Sequence, residues 1–159
     1  MSKFRASQAA SAYRRTATVV PPEVAVVRLY DCAIVLVQRA VRALDAKRRD
    51  EGYAHIHRAA SILRGLSHIL DHERGGPLAE RLHRMYSNNI IALYRALGKP
   101  DAKARYGKLI EGLAELRDAW ATVARMPTRI EEAQAVPQDA GGRDLPVQAR
   151  QASQAPAMM

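Results

Sequence analysis

Four stretches of this chain carry apolar residues at helical spacing, and each is closed by a proline or glycine break. Few folds accommodate such a pattern. Pro21–Pro22 stop anything before them, and Pro22 suits the first turn of a helix, where its missing N–H has no partner to lose. The periodicity predicts a first helix from Pro22 to Arg48, with Val26, Tyr30, Ala33, Val37, Val41 and Leu44 on one face. Leu29, Leu36 and Ala40 widen that face on one flank, and Val27 and Ile34 on the other. The resulting arc exceeds the roughly 100° of an ordinary surface helix, so this helix is expected to be covered on more than one side.

A second helix is predicted from Tyr53 to His72, with Ile56, Ala59, Ala60, Leu63, Leu66 and Leu70 as its stripe. Ile62 and Ile69 widen the stripe, and His57, Ser61, Arg64, His68 and His72 make the polar face. Gly75–Gly76–Pro77 close the turn. A third helix from Pro77 to Leu97 turns Leu78, Leu82, Met85, Tyr86, Leu93 and Ala96 inward, with Asn89 inside the stripe and Ile91 and Tyr94 outside it. Gly98 to Asp101 stop and restart the chain, with Asp101 the expected N-cap. A fourth helix runs from Asp101 to Arg125 with Tyr106, Leu109, Ile110, Leu113, Leu116 and Trp120 on one face. Met126–Pro127 end it, and a helical turn or two fits between Thr128 and Ala135.

Four amphipathic helices with short connectors and no strand pattern imply an all-α fold, an antiparallel up-and-down four-helix bundle. The expected organisation is an N-terminal arm or short cap helix over residues 1–20, the bundle over 21–126, and a disordered C-terminal tail over 127–159. At 48% hydrophobic, 159 residues suffice for one modest core.

Charge narrows the function without fixing it. The net charge is +9. Residues 127–159 hold three basic and four acidic side chains, which leaves 22 basic and 12 acidic on the remainder. A basic bundle suits an acidic protein, nucleic acid or a membrane surface, though such an excess is more often a solvated face. Nucleic-acid binding, or a basic helical adaptor, is the alternative reading; the long helices lack a short recognition pair. The most apolar stretch, Val24 to Leu44, carries Arg28, Asp31, Gln38, Arg39 and Arg42, which excludes membrane insertion. No apolar signal core follows Met1, and the single Cys32 has no partner for an internal disulfide, so a cytosolic, reducing setting is expected.

Catalytic and metal chemistry find no support. Glu80 and His83 have the Glu-x-x-His spacing of di-iron bundles, but no second such pair exists and both point away from the Leu78/Leu82/Met85 stripe. His68 and His72, four apart on the predicted helix, could reach one metal, yet they fall on its polar face and read as solvated. His55 and His57 diverge. Cys32 is expected to be a buried small residue. There is no phosphate loop, nucleophile elbow or Cys-x-x-Cys pair. The reading is a protein without catalysis, cofactor or metal.

An ordered set of short motifs resembles a known family. Leu29–Tyr30–Asp31–Cys32–Ala33 is similar to the Leu-Tyr-Asp-Gly-Ala signature of flagellar secretion chaperones of the FliS type. Leu70–Asp71-x-Glu73-x-Gly75–Gly76 resembles that family's Leu-Asp-x-Glu-x-Gly-Gly, and Leu82-x-x-Met85–Tyr86 its Leu-x-x-Leu-Tyr. Ala119–Trp120 follows near the end of the fourth helix. The resemblance spans about residues 8–125 in order. Departures include Cys32 for glycine, Pro21 for a capping serine, Gly65 for glutamate and Arg81 for asparagine.

The resemblance implies a cytosolic export chaperone that binds the disordered C-terminal segment of flagellin one to one and delivers it to the type III export gate. Homodimerisation of the client-free chain is left open. Such a client gains helix as it wraps apolar surface, so excess apolar flanks mark where it docks. The expected partner-binding residues are Tyr13 in the arm, Leu29 and Tyr30 on the first helix, Ile62, Leu66 and Ile69 on the second, and Ile91 and Tyr94 on the third.

Overall fold

The structure, a computed structural model, describes residues 20–135. The expectations for the arm, including Tyr13, and for residues 136–159 lie outside these. Five helices follow in order: α1 Pro22–Asp45, α2 Arg49–His68, α3 His72–Ala96, α4 Ala102–Ala124 and α5 Arg129–Ala135. The chain divides after Thr128. The first unit is the expected up-and-down four-helix bundle, and α5 is a separate short helix with no buried residue.

Within the bundle α1 packs against α2 and α4, and α3 closes the ring against the same two helices. Two neighbours for α1 account for its wide apolar arc: Val26, Val27, Tyr30, Ala33, Ile34, Leu36, Val37, Ala40 and Ala43 are all buried. Ile56, Leu63 and Leu66 of α2, Tyr86 and Leu93 of α3, and Tyr106 and Leu113 of α4 complete the core. Tyr106 is fully buried, and its hydroxyl donates to the Leu93 carbonyl at 3.0 Å. Burial pushes its pKa up to about 12.

The turns depart from the sequence reading. α1 ends at Asp45 rather than Arg48 because Lys47 adopts the left-handed conformation, φ 63°. Lys47 N–H then donates to the Leu44 carbonyl and Arg48 N–H to the Ala43 carbonyl, a Schellman closure with lysine where glycine is usual. Arg125, φ 54°, ends α4 with the same pair of bonds, from Arg125 to Thr122 and from Met126 to Ala121. The second helix lies about one turn earlier than expected, Arg49–His68 instead of Tyr53 to His72. Ile69 and Leu70 continue its apolar period but lie outside the helix, because Asp71 caps the next one. Its carboxylate accepts from Glu73 N–H and Arg74 N–H, both at 3.0 Å. Hence α3 begins at His72, ahead of Pro77, and bends at Gly76, whose φ of 46° and ψ of −129° interrupt the helix. Asp101 stands at the N-cap of α4 as expected, but its side chain makes no capping bond; its carboxylate accepts instead from Arg105 Nε at 2.8 Å.

Candidate partner-binding surface

At one end of the bundle the start of α1, the α2–α3 turn, the first turns of α3 and the end of α4 surround an apolar cavity of 630 Å³. Val26, Leu66, Ile69, Leu70, Leu78, Leu82, Tyr86 and Trp120 line it, with Glu23, Asp71 and Arg74 also on its wall. Two of its large apolar side chains stand in solvent: Ile69 is 65% exposed and Leu78 is 63% exposed. Leu78 was expected to face inward; Ala79 is buried instead. The kink at Gly76 sets the first turns of α3 beside the non-helical Ile69–Leu70 segment, where no helix covers Leu78.

At Tyr86, which lines the cavity, two phenols meet. Tyr30 and Tyr86 are buried, their hydroxyls 2.6 Å apart and their ring centroids 6.4 Å apart. Desolvation raises the pKa of both phenols. One residue on from Tyr30, Asp31 meets the buried Arg117, 2% exposed, which donates from Nε to Asp31 Oδ1 at 2.9 Å and from its terminal nitrogen to the Pro127 carbonyl at 2.9 Å. That buried cation holds α1, α4 and the chain just past α4 together.

The sequence candidates scatter. Leu66 and Ile69 meet in the cavity, Leu66 as buried wall and Ile69 at the mouth. Tyr30 is fully buried in the core, so in this conformation it supports the surface without belonging to it. Leu29 is 37% exposed on the outer side of α1. Ile62 is half-buried and packs on the core. Ile91, 48% exposed, lines a separate 800 Å³ groove along the α3–α4 seam together with Asn89, Arg95 and Arg105. Tyr94 is half-buried, its hydroxyl 2.9 Å from His57 Nδ1 and 3.5 Å from an Arg64 terminal nitrogen. Sequence reasoning missed Leu78, Leu82 and Trp120 as cavity residues and Arg117 as a buried cation. Trp120, large and near a helix end, was the available signal.

Other candidates also find their places. Cys32 is exposed, not buried. It lies about 140° round α1 from Val37 at 100° per residue, on the side no helix covers. His68 and His72 belong to different helices, so the four-residue spacing never applies. The His72 ring sits edge-on to His83 at 5.7 Å, and His83 Nδ1 lies 2.8 Å from Ser67 Oγ. Among the described residues no three His, Cys, Asp or Glu side chains are grouped to hold a metal. No described helix is long and apolar enough to cross a membrane.

The family model of the flagellar protein FliS matches residues 6–127. The chain belongs to the FliS family of flagellar export chaperones. No curated protein is a significant match to it. The FliS membership gives the family-like motifs physical roles in this chain. In Leu29–Tyr30–Asp31, Tyr30 supplies the buried phenol and Asp31 the carboxylate for Arg117. In Leu70–Asp71-x-Glu73-x-Gly75–Gly76, Leu70 lines the cavity, Asp71 caps α3 and Gly76 bends it. In Leu82-x-x-Met85–Tyr86, Leu82 lines the cavity and Tyr86 completes the phenol pair. The second and third FliS motifs therefore line one apolar opening, and the first is tied to them through the Tyr30–Tyr86 hydroxyls.

Proposed function

We propose that this FliS-family protein is a cytosolic chaperone that binds the disordered C-terminal segment of flagellin one to one. It prevents premature polymerisation and hands the client to the type III export apparatus, without catalysis or cofactor. The observation that carries this reading is the apolar cavity open at Ile69 and Leu78, walled by the family's own motif residues. An amphipathic client segment gains helix as its apolar face covers such surface. Leu29, Ile62, Ile91 and Tyr94 extend the client's path over the bundle, and Tyr30 and Leu66 hold the wall beneath it.

The arm completes the proposal. Residues 1–20 run directly into Pro22, which lines the cavity. Tyr13, with an apolar ring and a polar tip, covers the opening until the client displaces it. The bundle over residues 21–126 is then the working unit, closed by the Pro127 carbonyl on Arg117, and the segment beyond that contact is dispensable for its folding.

Isothermal titration with the flagellin C-terminal peptide tests the function. One-to-one binding with a negative heat-capacity change and only modest salt dependence is expected, because the buried area is mostly apolar. Nucleic-acid binding by 6–10 phosphate contacts would instead weaken about 10³–10⁵-fold between 50 and 200 mM salt. Absence of heat and of co-elution at micromolar concentrations would overturn the flagellin reading.

A further inference from the structure

The opposite end of the bundle is built differently. There the end of α1, the Lys47 turn, the start of α2, the α3–α4 loop and the start of α4 surround a second cavity of 510 Å³. Four cations line it, Lys47, Arg49, Lys99 and Lys103, against one carboxylate, Asp45. Lys103 Nζ holds Asp45 at 3.0 Å. Among the described residues Lys47, Arg49 and Lys99 face no carboxylate within 4.0 Å. α2 and α4 both begin here, and neither has a side-chain cap on its first N–H groups; Asp50 and Glu51 in the first turn of α2 and Asp101 before α4 offset part of that positive field. Val41, Leu44 and Tyr53 give the same cavity an apolar wall.

We infer that this cavity is a docking site for an acidic peptide segment of a partner protein, one apolar side chain flanked by aspartate or glutamate. The apolar residue packs against Val41, Leu44 and Tyr53, and its flanking carboxylates meet Lys47, Arg49 and Lys99. Charge complementarity selects the occupant: Lys47, Arg49 and Lys99, none in an ion pair within 4.0 Å although Lys99 also acts on the Asp101 carboxylate, cluster around a single apolar recess. A nucleic-acid strand fits it less well. Phosphate tracking needs cations spread along a path and stacking needs several exposed rings, whereas the exposed ring here is Tyr53 and Asp45 opposes phosphate. Lys47 adds a further argument. It stands at φ 63°, where glycine would sit with less strain, so the chain carries a cation there against its backbone preference. This site lies at the far end from Ile69 and Leu78, so both can be filled at once. The inference does not depend on the flagellin reading.

The test is an NMR titration of the full-length, ¹⁵N-labelled protein with three probes. These are a short peptide with a central leucine flanked by aspartates and glutamates, its asparagine/glutamine counterpart, and a single-stranded oligonucleotide. The acidic peptide is expected to shift the amides of Lys47, Gly98 and Lys99, and its amide counterpart to bind at least about tenfold more weakly. Lys47→Gly combined with Lys99→Gln should weaken the acidic peptide at least about tenfold. Glycine accepts the backbone at position 47, so the melting temperature should hold. Equal binding of the two peptides, shifts confined to other surfaces, no effect of the double substitution, or tighter binding of the oligonucleotide at these amides would each overturn the assignment.

Discussion

The Arg117 guanidinium donates from Nε to Asp31 Oδ1 at 2.9 Å, and the two partners differ sharply in burial: the arginine side chain is 3% exposed, the aspartate 45%. That asymmetry predicts unequal mutational costs. Asp31→Ala leaves a buried cation with only Asp118 and the Pro127 carbonyl of its named partners. It should cost about 2–4 kcal/mol, the lower part of the usual range for breaking a buried pair. Arg117→Met removes the buried charge, keeps most of the stem volume and leaves a carboxylate that water can reach. It should cost less than about 2 kcal/mol. Urea titrations of the full chain decide, and the reverse order would refute the role given to Arg117.

Two glycines in α2 are predicted to respond in opposite ways. A Cβ at Gly52 would sit 2.7 Å from Leu44 Cγ and Cδ2, where α2 packs on α1. Gly52→Ala should therefore destabilise by about 1–3 kcal/mol despite its better helix propensity. Gly65 has nothing within 4 Å of such a Cβ. Gly65→Ala should stabilise by about 0.5–1 kcal/mol. Thermal melts of the two variants beside the parent check both signs.

Alkaline pH should loosen the bundle. Tyr30, Tyr86 and Tyr106 all have pKa values raised by burial above the ordinary 10.0, Tyr106 to about 12. A raised folded-state pKa means that the native chain holds its proton more tightly than the unfolded chain. The phenols' contribution is thus fully present below pH 10 and lost as pH climbs through the folded-state values. Stability should be level from about pH 7 to 9 and fall above about 10. Denaturant midpoints across that range measure it. Replacing Tyr30 and Tyr86 together by Phe should flatten the fall, and an unchanged slope would assign it elsewhere.

The cavity predicts a separation of binding from folding. Ile69→Asp and Leu78→Asp place charge where water already reaches, so each should change stability by less than about 1 kcal/mol. Each should weaken the flagellin peptide at least about tenfold, because a carboxylate would be desolvated against the client. Leu63→Ala, in the core, should cost about 2–5 kcal/mol. Titration calorimetry and denaturant unfolding on the same three proteins provide the comparison. Full affinity in both Asp variants would remove this opening from the client's path.

Helical periodicity is a local property, so the sequence alone determined that four helices exist and which side of each is apolar. Leu63, Leu113 and Tyr106 were legible as core because their neighbours at three and four residues repeat the signal. Even Cys32 was legible in principle: its angle on α1 points away from the stripe, and only its residue type suggested burial. Boundaries were less so. Lys47 and Arg125 stop their helices in a conformation usually left to glycine, and Asp71 caps a helix that Pro77 was expected to start. These outcomes depend on which of several competing local hydrogen bonds the packed bundle favours. Exposure at the cavity lay beyond the sequence entirely. Leu78 and Leu82 read as one inward stripe, but which of them a neighbour covers is set by the Gly76 kink and helix register. The same holds for Arg117 and Asp31, 86 residues apart. No local pattern marks that arginine for burial; only the packing of α4 on α1 brings its carboxylate near enough to make burial of the charge tolerable.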